Sequence, residues 1–173
     1  MSAKHAIATG HPAVTQVCAE ILADGGNAFD AVVAGGFLAS LAEPALTSLA
    51  GGGFLLAKAD GQSPRLFDFF VDATGRGAKA SAPEFAEIEI QFPATVQAFQ
   101  IGRGSIAVPG VLKGLLHTHQ SLGVLPRERV MAPAIAAAKE GLVVNNWQAR
   151  LLSLLRPILL FTPESAALFA PGG

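Results

Sequence analysis

Apolar residues recur every three or four positions between His11 and Ala23, the period of an α-helix with one buried face. Pro12 suits the first helical turn, where its missing N–H has no partner to lose. Gly25 and Gly26 supply a left-handed C-terminal cap. The pattern therefore predicts an amphipathic helix whose buried face consists of Val14, Val17, Cys18, Ile21 and Leu22.

A second helix is predicted from about Ala28 to Ala42. Asn27 is a good N-cap, and Asp30 places a carboxylate in the first turn, where the helix dipole favours it. Nearly all later positions are apolar or small, so we expect burial on nearly all sides. Glu43-Pro44 ends the helix.

Strand-like patterns follow Gly51–Gly53. The apolar runs 54–60 and 65–73 flank the turn cluster Gly61–Pro64, which predicts a β-hairpin. Both runs are apolar at nearly every position, so the sheet is expected to be covered on both faces. A short strand is also predicted at Lys4–Thr9.

The remaining chain is mainly helical in pattern. Residues 75–99 are the least regular and are placed at the surface, with a short strand at 87–92. A strand ending at Pro109-Gly110 leads into a helix. Further helices are predicted over 126–140, 147–155 and 164–169, with Gly141 as a C-terminal stop.

Length and composition favour one domain, residues 1–173, with net charge −1, 51% hydrophobic and 14% charged residues. This balance lacks the clustered Lys and Arg of a nucleic-acid-binding surface. A mean hydropathy of +0.45 fits either a membrane protein or a chain whose apolar faces another part covers. The run Ala31–Ala42 is too short to span a bilayer, which takes roughly 20 residues. We therefore expect no membrane-spanning segment, and we expect that another part of the protein covers the apolar faces of this chain.

Cysteine and leader content bear on the compartment. Cys18 is the single cysteine, which excludes an internal disulfide and a cysteine metal cluster, and its position predicts a small core side chain. No apolar leader precedes a cleavage site at the N-terminus. The protein is expected to be cytoplasmic, or periplasmic or extracellular if a leader has been removed.

Three groups of residues invite a chemical interpretation and also have a structural one. Gly51–Gly53 lead into a strand, which favours a tight turn over a phosphate cradle. His117 and His119 lie two apart on a helix and point in different directions, which disfavours a metal pair. Asp68 and Asp72 share strand parity and fit acid–base chemistry, but their apolar strand favours a structural role.

Longer motifs carry a resemblance. HPAVTQVCAEILADGGNAFDAVVA followed by EPALTSLAGGGFLLA resembles the opening of the large subunit of gamma-glutamyltranspeptidases, which are N-terminal-nucleophile hydrolases. The resemblance runs from about His5 to Pro171 and is weakest between Ala73 and Phe99. It implies an α/β (α+β) fold: part of an αββα sandwich, with helices and a mainly antiparallel sheet.

The resemblance also implies site chemistry. The family's nucleophile is a threonine that self-cleavage frees in a Gly-Thr-Thr-His or Gly-Thr-Ser-His segment, which this sequence lacks, and no metal or cofactor is needed. Family members usually carry Asp-Phe-Arg-Glu on the second strand, where the arginine binds the substrate carboxylate. Here Phe70 stands at the arginine position and Val71 at the glutamate position, with Arg76 as a possible substitute.

The expected function is a fragment or subunit of a gamma-glutamyltranspeptidase-like amide hydrolase or acyl transferase, acting on glutathione or related gamma-glutamyl or other acyl amides. The chain alone is expected to be inactive. Its expected partners are a small-molecule amide substrate and either the missing C-terminal half, with the small subunit, or a second copy. The alternatives are a non-catalytic remnant or partner subunit and a small-molecule-binding domain.

Overall fold

The computed structural model describes residues 5–75, 77 and 84–172. These residues form helices and antiparallel strands in two compact units. The first unit comprises residues 5–72 and 109–143, and the second comprises the remaining described residues. The expectation of one domain over residues 1–173 stays a prediction.

Four helices and one hairpin build the first unit. The helices are α1 (Pro12–Ala23), α2 (Ala28–Ala42), α3 (Val111–Leu122) and α4 (Arg127–Glu140), and the hairpin strands are β1 (Gly53–Ala57) and β2 (Arg65–Phe69). The predicted hairpin is confirmed: β1 and β2 are antiparallel, and Gly53 opposes Phe69 while Ala57 opposes Arg65.

The second unit contains a further hairpin and three short helices. Its elements are β4 (Ala86–Phe92), β5 (Thr95–Ile101), a 3-10 turn (Arg103–Ser105), β6 (Ala107–Val108), α5 (Asn146–Leu154), α6 (Arg156–Leu159) and α7 (Pro163–Phe169). The strand β3 (Asp72–Ala73) lies at the boundary of the two units in the chain. β4 and β5 are antiparallel, and Ile90 of β4 is fully buried.

The helical core of the first unit follows the predicted periodicity. Val14, Val17, Cys18 and Ile21 of α1 are buried against α2, and Leu22 packs at the edge of the same cluster. His11 starts α1, because its Nδ1 accepts the N–H of Ala13 at 3.1 Å. Most of α2 is buried, as predicted, while Val32 and Leu41 remain exposed at two separate positions of the helix.

Asp30 connects the start of α2 to the turn between α3 and α4. Its carboxylate is fully buried and accepts the backbone N–H groups of Asn27 at 2.9 Å and Val124 at 3.1 Å. The N–H of Leu125 and Nε2 of His119 each lie 3.4 Å from Oδ1. A buried carboxylate keeps its place only when such donors replace its water. The predicted capping role of Asn27 and Asp30 is confirmed.

The hairpin packs on the helices through its aromatic residues. Leu55, Ala57 and Phe67 form a small buried cluster with Phe29 and Leu122 at its edge, and Phe69 joins this cluster to the helical core. Gly114 of α3 lies directly on the ring of Phe69, so that a methyl group at this position would overlap the ring. A glycine is therefore required for the approach of α3 to β2.

Two local predictions differ from the structure. Residues 5–9 form no strand, and Ile7 packs against the helical core instead, while Lys4 lies outside the described residues. The strand β5 was not predicted, because residues 95–101 mix polar and small residues with only a weak alternation. In the described part of the chain, no helix combines the length and apolar character needed to cross a bilayer.

Replacing Asp30 with alanine is expected to lower the free energy of unfolding by about 3 kcal/mol. The substitution leaves several buried backbone N–H groups without an acceptor, at about 1–3 kcal/mol for each such group. Urea denaturation followed by circular dichroism measures the change. The matched control is Asp60→Ala on an exposed turn, expected within about 0.5 kcal/mol of the parent. Equal stability of the two variants would contradict this role of Asp30.

Gly114→Ala is expected to destabilise the chain by about 2 kcal/mol through overpacking. Alanine ordinarily favours a helix over glycine by about 0.8–1.0 kcal/mol, so the sign itself tests the contact with Phe69. Gly36→Ala is the matched control in α2, because its added carbon would meet only the flexible end of Leu115 at 3.1 Å. Thermal unfolding of both variants measures the change in stability. A Gly114→Ala chain as stable as the parent would contradict the predicted overpacking against Phe69.

Candidate functional site

The hairpin of β1 and β2 has an inner face on the helices and an outer face exposed to solvent. Side chains alternate along each strand, so paired residues share a face. The inner residues are Gly53, Leu55, Ala57, Phe67 and Phe69. The outer residues are Phe54, Leu56, Leu66 and Asp68, joined by Phe70 just beyond β2. We call this second set the outer face; its four apolar members are 58–72% exposed.

Phe70 lies at one end of the outer face. Its ring stacks on Phe54, with the ring centroids 5.3 Å apart and the planes 7° from parallel. Its backbone N–H donates to Oδ1 of Asp68 at 3.0 Å. The structure thus places the predicted site residue at an accessible position beside a second aromatic ring that sequence reasoning missed. The available signal was hairpin register, because Phe54 opposes Asp68, two residues before Phe70.

Asp68 and Asp72 do not share one strand, so the prediction of equal parity is wrong. β2 ends at Phe69, and Asp72 begins β3. The bond from the Phe70 N–H to the Asp68 side chain takes a donor that a continued ladder would need. Asp68 therefore acts on the backbone at the end of its strand.

The triple glycine has the structural role that the following strand predicts. Gly52 packs against the backbone of Phe70 and Val71. A Cβ added at Gly52 would lie 2.9 Å from the carbonyl carbon of Phe70 and closer still to the backbone nitrogen of Val71, so a larger residue would clash with the backbone. The carbonyl of Gly51 accepts the N–H groups of Gly110 at 2.9 Å and Val111 at 3.1 Å. The first amides of α3 are therefore used within the protein.

The two histidines of α3 face different neighbours. The ring of His117 lies edge-on to Phe67 with centroids 5.7 Å apart. Nε2 of His119 lies 3.0 Å from the carbonyl oxygen of Leu125 and 3.4 Å from Asp30. Among the described residues, no cluster of three or more His, Cys, Asp or Glu side chains is placed to hold a metal ion.

Cys18 packs in the helical core. Burial raises the pKa of its thiol, an effect that backbone hydrogen bonds partly oppose. Its Sγ donates to the carbonyl of Ala31 at 3.2 Å. Because the thiolate is the reactive form, a buried thiol with a raised pKa is a poor nucleophile. This geometry agrees with the predicted role of Cys18 as a small core side chain.

Arg76, the possible substitute for the missing arginine, lies outside the described residues, and its role stays a prediction. The role of Phe70 toward a substrate likewise stays a prediction. The structure adds two groups beside Phe70, the aromatic ring of Phe54 and the carboxylate of Asp68. These two groups together can contact an apolar or aromatic ligand.

Comparison with known proteins relates nearly the whole chain to one family. The family model for gamma-glutamyltranspeptidase matches residues 14–173. The Acylase ACY 1 proenzyme of Pseudomonas sp. strain SE83 is 35% identical over 170 residues, which are 96% of this chain and 30% of the relative. Glutathione hydrolase proenzyme 2 of Schizosaccharomyces pombe is 31% identical over 149 residues, which are 86% of this chain and 23% of the relative.

A solved structure agrees with these relatives. The gamma-glutamyltranspeptidase of Pseudomonas nitroreducens, complexed with L-DON, superimposes with a TM-score of 0.71 at 29% identity, over 95% of this chain and 44% of that chain. The chain thus spans about a quarter to a third of the length of the two curated relatives. The predicted fold, helices with antiparallel strands as part of the N-terminal-nucleophile hydrolase sandwich, is confirmed. These matches show that the chain belongs to the gamma-glutamyltranspeptidase family.

Proposed function

We propose that this chain is the N-terminal part of the large subunit of an amide hydrolase or acyl transferase with a threonine nucleophile. The observation that carries the proposal is the family match over residues 14–173 together with partial coverage of longer proenzymes. The nucleophile would come from a segment outside these 173 residues, since the sequence has no Gly-Thr-Thr-His or Gly-Thr-Ser-His. The chain alone is then inactive.

The exposed apolar side chains of the outer face support the proposal that this chain has a binding partner. Phe54, Leu56, Leu66 and Phe70 are more than half exposed on a hairpin whose opposite face is already packed. Contiguous exposed apolar side chains normally mark an interface or a binding site. We propose that the remaining part of the protein covers Leu56 and Leu66 and leaves the Phe54 and Phe70 end of this face open to a ligand, with a second copy of the chain as the alternative cover.

Phe70 supports a shift in substrate preference. An arginine at this position binds a carboxylate through two parallel charge-assisted hydrogen bonds, whereas a phenylalanine offers neither charge nor donors. A carboxylate desolvated against Phe70 and Asp68 would lose hydration without compensation. The acyl site is therefore proposed to prefer acyl groups without a free alpha-carboxylate. The relative at 35% identity is named an acylase, which agrees with this direction.

The first functional test concerns the source of the nucleophile. The 173-residue chain is expected to release no amine from acyl anilides above background, because it lacks the freed threonine. Co-expression with the downstream segment is expected to restore turnover and to give a larger complex by light scattering. The control is the same complex in which the nucleophilic threonine of the downstream segment, the one freed by self-cleavage, is changed to alanine. Turnover by the chain alone that survives repurification, or an inactive wild-type complex, would refute the proposal.

The second functional test concerns Phe70. In the active complex, kcat/KM is expected to be higher for an uncharged aliphatic acyl anilide than for the gamma-glutamyl anilide. Phe70→Arg is expected to raise relative activity on the gamma-glutamyl anilide at least tenfold, about 1.4 kcal/mol. Ser63→Arg is the matched control in the turn of the same hairpin, and it introduces the same charge at an exposed position away from Phe70. A wild type that strongly prefers gamma-glutamyl anilides, with Arg76→Ala leaving that preference unchanged, would overturn the proposal.

A further inference from the structure

Two exposed aromatic rings form a stacked pair on the outer face. Phe54 and Phe70 are 59% and 58% exposed, although their rings lie parallel, with centroids 5.3 Å apart. Two large apolar rings side by side at a surface form a contiguous apolar patch, which normally marks an interface or a binding site. The pair therefore has the shape of a binding platform for a planar ligand.

The backbone beneath the platform is fixed. Phe70 is held by the bond from its N–H to Asp68, and the chain at Phe70–Val71 lies directly against Gly52. Gly51 in turn accepts the first amides of α3. Phe54 is held in register by its pairing with Asp68. A platform fixed in this way loses little conformational entropy when it binds a ligand.

Charge narrows the ligand class. The charged side chain beside the two rings is Asp68, which opposes Phe54 in the hairpin and contacts the backbone of Phe70. A ligand carboxylate placed over the rings would meet this negative charge. A neutral planar group avoids that repulsion and gains contact with the rings. The chemistry of the site therefore favours a neutral aromatic group.

We propose that Phe54 and Phe70 form an aromatic platform for a neutral aromatic acyl group, which makes Phe54 a second specificity-determining residue. The inference rests on the proposed function, because the acyl group is the part of an amide substrate that would lie beside Phe70. It goes further by naming an arylacetyl class of acyl group and by assigning a role to Phe54. Asp68 discriminates against acidic acyl groups at the same place.

Binding by the full 173-residue chain tests the platform without any reaction. The probe is phenylacetamide, titrated into nitrogen-15-labelled protein, and the comparison ligands are hexanamide and glutaramic acid. Phenylacetamide is expected to shift the amide signals of Phe54, Asp68 and Phe70 and to bind more tightly than either comparison ligand. Phe54→Leu and Phe70→Leu are each expected to weaken its binding about fivefold, the size of one aromatic contact.

Three further variants sharpen the result. Phe70→Tyr keeps the ring and is expected to retain binding. Asp68→Asn is expected to raise the affinity for glutaramic acid more than the affinity for phenylacetamide. Phe169→Leu removes a 48% exposed ring from α7, an element of the second unit, and is expected to leave binding unchanged. Amide spectra that keep the parent's signals outside the hairpin show that each variant is folded.

The outcomes separate this inference from the proposed function. Absent shifts at Phe54 and Phe70, equal binding of glutaramic acid, or equal weakening by Phe169→Leu overturns the platform. If phenylacetamide binds there while the reconstituted complex turns over no amide, the proposed function fails and the platform stands. If the complex is active and phenylacetamide does not bind, the platform alone fails.

Discussion

The carboxylate of Asp30 is the contact on which the first unit depends. It is fully buried at the start of α2, and its acceptors are used by backbone N–H groups from Asn27 and from the turn after α3. Asn27 reinforces the same junction, since its side-chain amide donates to the carbonyl of Leu122 at 2.7 Å. A buried charge without these donors would cost several kcal/mol. The ends of three helices are therefore fixed relative to one another by polar groups inside an apolar core.

Glycine residues allow the hairpin to pack closely against this helical core. α3 reaches β2 because Gly114 leaves room for the ring of Phe69, and the triple-glycine turn accepts the first amides of α3. The same turn packs against the backbone at Phe70–Val71. The position of Phe70 is thus determined by main-chain contacts, which leaves its side chain free to vary in chemistry without moving the site.

The elements with strong periodicity or clear capping residues could be predicted from the sequence. Both long N-terminal helices, their caps and the first hairpin follow from local patterns in residues 11–69. Three features could not be predicted, because each depends on distant residues. The partners of Asp30 lie in the turn at Val124, the end of β2 depends on Gly52 and Asp68, and the stacking of Phe54 on Phe70 depends on hairpin register. The position of Phe70 in a family motif marked it as a site residue, whereas no local pattern marked Phe54.

The spacing of the Asp30 contacts has a consequence for synthesis. Val124 and Leu125 follow Asp30 by 94 and 95 positions in the chain. A ribosome that adds about 5–20 residues per second needs roughly 5–20 s to reach them. During that interval α1 and α2 can pair, but the carboxylate has only the N–H of Asn27 and water as donors. The contacts of Asp30 are therefore completed only when the turn after α3 emerges and its N–H groups replace that water.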